Sequence, residues 1–183
     1  MTGRYPIHTG RQSKALMPEQ PDGLSTQFTL MPEYLKRLGY HTHMVGKWHL
    51  GFCNESYLPT RYIHYPYGPC ATDIILHLGL IRRGFDKFDG YWIGSEDYFK
   101  HTRRSRTYPK VAGFDFHHNE DPDFRFIGKY STGVFADKAT AIIRRASTKS
   151  SPLFLYLAFQ APHSPLQVEE IEKENCKRTQ ESR

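Results

Sequence analysis

The chain has 183 residues, enough for one domain that buries roughly 70% of its unfolded surface. Aromatic residues make up 14% and hydrophobic residues 38%, which excludes disorder as the default state. Twenty-five basic against 19 acidic side chains leave a formal charge of +6, compatible with an anionic partner, and no run of about 20 apolar residues offers a membrane span.

Residues 1–25 are rich in Gly, Pro, Ser and Thr and read as loop with short turns. The opening Met1-Thr2-Gly3-Arg4-Tyr5 lacks the apolar core of a secretory signal. Over 27–38, Phe28, Met31, Leu35 and Leu38 recur at helical spacing and predict an amphipathic helix. Pro32 is tolerated only in a first turn, which places the regular part near Met31, and Gly39 can supply a left-handed end. A short strand follows over 41–45, with Gly46 as its break. Helix, glycine, strand, glycine is the rhythm of an α/β layer protein.

Residues 51–125 are rich in Tyr, Pro, Gly, His and Asp and show no helical period. Within them, 71–80 fits a short helix or a strand. Residues 130–145 predict a second helix, with Ser131 or Thr132 as its cap and Val134, Phe135, Ala139, Ile142 and Ile143 on its apolar stripe. The apolar run 152–159 predicts a strand buried on both faces of a mostly parallel sheet. The polar tail 169–183 reads as a solvated helix or a frayed end.

Two groups draw attention as chemistry. Lys47 and His49, two residues apart after the first strand, would share a face in extended chain and could anchor an oxyanion, the imidazole also moving a proton. His163 emerges beyond the carboxyl end of the apolar strand, where ligands of open α/β sheets bind, and lies between Pro162 and Pro165. An exposed turn histidine is the competing reading. Asn54-Glu55-Ser56 is the single glycosylation sequon, usable if the protein enters the secretory route. The basic run 100–106, flanked by Tyr98, Phe99 and Tyr108, has the mixture used on single-stranded nucleic acid, but a basic loop accounts for it as well. Asp115, Asn119, Glu120, Asp121 and Asp123 lack the pattern of an EF-hand and read as a solvated acidic loop. Cys53, Cys70 and Cys176 form no CxxC pair, and phosphate-cradling and Gly-x-Ser-x-Gly motifs are missing.

Several of these segments resemble one family. Gly39-Tyr40-His41-Thr42-His43-Met44-Val45-Gly46-Lys47-Trp48-His49 resembles the second signature of the type I sulfatases over its whole length. Met1-Thr2-Gly3-Arg4-Tyr5-Pro6-Ile7-His8-Thr9-Gly10 is similar to the end of the first signature and the segment after it. Arg83-Gly84-Phe85-Asp86, Gly94-Ser95-Glu96-Asp97-Tyr98, and 152–168 with its Gln160-Ala161-Pro162-His163-Ser164-Pro165-Leu166-Gln167-Val168 ending resemble the arylsulfatase B branch.

The resemblance implies a partial alkaline-phosphatase-like α/β fold with a mixed, mostly parallel sheet. It implies hydrolysis of sulfate esters, in lysosomes or outside the cell, by a formylglycine made from the Cys of a Cys-x-Pro-Ser-Arg motif, with a calcium ion holding the sulfate. Lys47, His49 and His163 resemble the family's sulfate-anchoring residues. The nucleophile motif, most calcium ligands and a second catalytic lysine have no counterpart in the 183 residues, so the chain resembles an internal fragment of a sulfatase. Residues 1–168 are then a partial sulfatase domain, 62–82 an unmatched block (a loop insertion or a mis-joined segment), and 169–183 an unmatched charged tail. The expectation is a sulfuric ester hydrolase sequence inactive by itself, the alternative a non-catalytic fragment or pseudoenzyme that binds sulfated glycans.

Overall fold

The computed structural model describes residues 1–13, 15–17, 22–51, 83–105, 110 and 112–181. The sequon at Asn54, Cys53, Cys70 and the block 62–82 lie outside the described residues.

Helix α1 (Met31–Arg37) has Pro32 in its first turn, where the missing N–H is no loss, and the Glu33 carboxylate accepts from the Leu30 N–H at 3.0 Å. Gly39, at φ +85°, follows its end. The helix is shorter than the spacing predicts, and its buried contacts are Leu30 and Pro32, while Met31 and Leu38 face solvent.

Seven strands follow in chain order with one long helix among them. They are β1 (His41–Lys47), β2 (Lys87–Tyr91), β3 (Thr102–Arg104), β4 (Ala112–Phe114), β5 (His117–His118), β6 (Asp121–Pro122) and β7 (Leu153–Ala158). Helix α2 (Ser131–Ala146) precedes β7, and α3 (Glu170–Glu181) ends the described chain. The main sheet has the order β6-β5-β2-β1-β7. Its three longest strands are parallel, with β1 between β2 and β7, and the short β5 and β6 extend it antiparallel. This is the expected α/β fold with a mixed sheet. A separate antiparallel pair joins β3 to β4.

Successive residues of β1 serve the two faces of the sheet. Val45 joins Tyr91, Ile93, Phe116, Val134, Phe135 and Ile142 in the layer beneath α2. Met44 joins Leu24, Leu30, Trp48, Phe85 and Phe88 on the other side. Each large side chain so buried contributes on the order of 2 kcal/mol.

Gly46 does not break β1. The strand runs on to Lys47 with Gly46 at φ +104°, paired with Gly90 on one side and Ala158 on the other. A Cβ on Gly46 would lie 2.0 Å from the Ala158 carbonyl oxygen, and one on Gly90 would lie 2.0 Å from that of Gly46. This rung of small residues lets three strands close up at the carboxyl end of β7 and one residue before those of β1 and β2.

Three other expectations change. Neither Ser131 nor Thr132 caps α2: both hydroxyls are buried without a hydrogen-bond partner, because the helix starts at Ser131 rather than after it. Strand β7 is only half-buried, since it is the end strand of the described sheet rather than a central one. The region beyond Arg83 is ordered into five short strands, whose two to five residues leave no period to read. Its acidic residues are not all solvated. Asp115 is buried and accepts from the N–H groups of Trp92 and Ile93 at 2.9 and 3.1 Å, and buried Asp123 takes the Arg125 guanidinium in two contacts of 2.7 Å.

Candidate functional site

Lys47 is the last residue of β1 and lies in register with Tyr91, one step past the glycine rung. Trp48 then turns into the core, edge-on to Phe85 with ring centroids 6.3 Å apart, and its indole N–H donates to the Gly51 carbonyl at 2.9 Å. His49 sits outside the strand at φ 51°. Lys47 and His49 therefore come together through a left-handed turn, not through the pleat of an extended segment.

The His49 ring is held on two sides. Its Nε2–H donates to the Leu16 carbonyl at 2.9 Å; a carbonyl can only accept, so this nitrogen carries the proton and Nδ1 is the acceptor in the neutral ring. The backbone of Gly94 lies against the ring: a Cβ there would stand 2.9 Å from both Cε1 and Nε2.

His163 lies on an exposed turn after β7. Its Nδ1–H donates to the Ser164 carbonyl at 2.6 Å, which leaves Nε2 as the second nitrogen. A dense set of side-chain hydrogen bonds clamps this turn to residues 96–98. Gln160 accepts from the Glu96 N–H and donates to the Glu96 carbonyl, both at 2.8 Å. Gln167 accepts from the Tyr98 N–H at 2.8 Å and donates to the Asp97 carboxylate at 3.0 Å. The Tyr98 hydroxyl donates to the His163 carbonyl at 2.9 Å.

The predicted residues Lys47, His49 and His163 form one electrostatic neighbourhood. Burial lowers the Lys47 ammonium below the ordinary lysine range, and the Arg103 cation adds to this. Burial also lowers the His49 imidazole, opposed by its bond to Leu16 and reinforced by Lys47, His163 and Arg103. Arg103 is the member that the sequence reading assigned elsewhere, to the basic run. That run is not one surface among the described residues. His101 is fully buried, Tyr98 is 1% exposed and stacks on Tyr130, and Arg103 turns to the site, where its Nη1 donates to the Ser95 hydroxyl at 2.6 Å. Gln160, Gln167 and Gly94 were visible only as parts of motifs, since nothing in their spacing marks a clamp or a close approach.

Glu96, next in sequence to the Ser95 that accepts from Arg103, does not supply a negative charge. Glu96 is fully buried, and burial together with Asp115 and Asp97 pushes its carboxyl up to about 10. His101 donates Nε2–H to the Phe126 carbonyl at 2.8 Å, so its Nδ1 accepts from the protonated Glu96 at 3.2 Å. The pair is a neutral hydrogen bond, not an ion pair.

Among the described residues, no three His, Cys, Asp or Glu side chains come together as a metal site. Of the adjacent histidines, His117 lies beside Asp115 and stacks on Trp92 at 3.8 Å, and His118 bonds Asp89 at 2.9 Å. The described side chains therefore do not fit the calcium site that the resemblance implies. No described helix is long and apolar enough to cross a membrane.

The family model described as Sulfatase matches residues 1–182. Arylsulfatase J of Mus musculus is 38% identical over 169 residues, covering 92% of this chain and 24% of that protein. N-acetylgalactosamine-6-sulfatase of Canis lupus familiaris is 27% identical over 187 residues, covering 91% of this chain and 30% of that protein. The crystal structure of Ps i-CgsB in complex with k-i-k-neocarrahexaose matches with a TM-score of 0.71 and 26% identity, covering 96% of this chain and 36% of that one. The chain thus spans roughly a quarter to a third of the length of these relatives.

Proposed function

The chain belongs to the sulfatase family, and from that premise we propose that the cluster beyond the carboxyl end of β1 is a sulfate-ester site. The observation that carries the reading is that Lys47, His163 and Arg103 all act electrostatically on the His49 ring, which Leu16 and Gly94 hold beyond the end of β1. Such a cluster has a strong demand for an anion.

In this reading Lys47 supplies a point charge to a sulfate oxygen, strengthened by partial removal from water. His49, fixed by Leu16 and Gly94, keeps Nδ1 as an acceptor that can take up a proton. His163 presents a second imidazole on the turn clamped by Tyr98, Gln160 and Gln167. The reaction class is hydrolysis of sulfate esters, as in the family. The 183 residues contain no Cys-x-Pro-Ser-Arg sequence, so we infer that they bind without turnover. A sulfated glycan is the partner that fits, and the oligosaccharide complex of Ps i-CgsB supports that class. A lysosomal or extracellular setting goes with the family, and Asn54 would be its glycosylation site. We read 62–82 as an unmatched block, an inserted loop or a mis-joined segment, and 169–183 as an unmatched charged tail.

Titration of the purified chain with 4-nitrophenyl sulfate tests this. The expected result is salt-sensitive binding, weakened tenfold or more by Lys47→Ala, with no release of nitrophenol. Absence of binding overturns the site. Nitrophenol release that disappears in Lys47→Ala overturns the inference that binding occurs without turnover.

A further inference from the structure

Arg103 is the group of this cluster for which the sulfate site has no assigned use. It lies on β3, outside the main sheet, and reaches the cluster through a two-residue support. Gly94 forms the floor under the His49 ring, and the next residue, Ser95, accepts from Arg103 Nη1 at 2.6 Å. The guanidinium is thereby fixed within one residue of the backbone that positions His49. Its Nε is buried without an acceptor, and among the described residues neither Arg103 nor Lys47 has a carboxylate partner. Two cationic groups are thus held near enough to act on each other, with no carboxylate partner among the described residues. They come from different elements, Lys47 from the end of β1 and Arg103 from the β3–β4 pair. One sulfate monoester carries a single negative charge and does not balance both.

We propose that Arg103 is a specificity-determining residue that takes a second anionic group of the same ligand, so that the site prefers a sugar carrying two acidic substituents over one carrying a single sulfate. This rests on the sulfate-ester reading of Lys47. The chemistry is that of a planar fork matched to a sulfate or carboxylate, whereas Lys47 acts as a point charge. Ser95 orients the fork by occupying Nη1.

The test uses the full 183-residue chain, with galactose 4-sulfate and galactose 4,6-disulfate as probes at constant ionic strength. Wild type is expected to bind the disulfate at least tenfold more tightly. Arg103→Gln should weaken the disulfate at least tenfold more than the monosulfate and so remove most of that preference, while Lys47→Ala weakens both sugars alike. Arg103→Lys keeps the charge without the fork and should retain part of the preference, which decides the matter if the glutamine variant fails to fold. Equal affinity of wild type for the two sugars, or equal loss of both in Arg103→Gln, overturns the assignment of Arg103 and leaves the Lys47 site standing. No effect of Lys47→Ala on either sugar overturns the sulfate site and the Arg103 assignment with it.

Discussion

The Tyr98 hydroxyl and the His163 carbonyl are joined by a 2.9 Å hydrogen bond across 65 positions of sequence. It ties the turn after β7 to the segment that also floors His49. Tyr98→Phe keeps the ring stacked on Tyr130 and deletes this bond together with the hydroxyl's contact with the Gln160 side chain. We expect a loss of about 1 kcal/mol in stability and a severalfold weaker affinity for an aryl sulfate. Denaturant melts and calorimetric titration measure the two; unchanged affinity with lowered stability would show that the clamp is structural only.

The glycine rung makes a sharper demand. Gly46→Ala would drive a methyl group to 2.0 Å from the Ala158 carbonyl while forcing φ +104° on an L residue. A loss of roughly 3 kcal/mol or more is expected, enough to deplete soluble protein. Gly113→Ala is the control, since a Cβ there meets nothing within 4 Å, and it should change stability by no more than about 0.5 kcal/mol. Equal behaviour of the two variants in urea unfolding would refute the close approach.

How far the sequence reached can be judged from such positions. The helices and the β1 core were legible because each spans several residues of one period, and Lys47, His49 and His163 because they stand in long motifs. Gly46 was misread as a strand end because a glycine signals a break and a close approach with the same letter. Arg103 was misread because a basic run invites a common surface, whereas the β3–β4 pair sends neighbours to different sides. Buried Glu96 and Asp115 were hidden for a related reason: an acid's burial is decided by what packs over it, which is tertiary information.

Glu96 gives a pH prediction with a defined sign. Its folded carboxyl is raised from the ordinary 4.5 to about 10. Between those values the unfolded chain has released the proton that the folded chain still holds, so stability falls as pH rises through that window. Glu96→Gln keeps a donor toward His101 and removes the titration. It should stabilise the fold more at pH 8 than at pH 5, by a difference on the order of 4 kcal/mol. A shift independent of pH would mean that Glu96 is ionised in the fold.

Sulfate binding should show the opposite partner of this effect. The depressed His49 imidazole is neutral at pH 7, so anion binding there relies on the fixed cations. As pH falls, His49 gains its proton and affinity for inorganic sulfate rises; the bound anion favours that protonation in turn. In His49→Gln the rise at the acid end should shrink. Calorimetry from pH 8 to pH 5 in both proteins provides the measurement, and an identical rise in both would remove His49 from the site.

Strand β7 is bonded to β1 along one side, and no described strand pairs its other side. Alternate N–H groups of an edge strand point toward the partner and away from it. The amides of Leu153–Ala158 therefore fall into two kinetic classes by parity. Hydrogen exchange along this strand would read as a comb, slow teeth where the N–H meets β1 and fast gaps between them. Any molecule that completed the sheet at this side would be detected as the filling of those gaps, residue by alternate residue, without a change in the teeth.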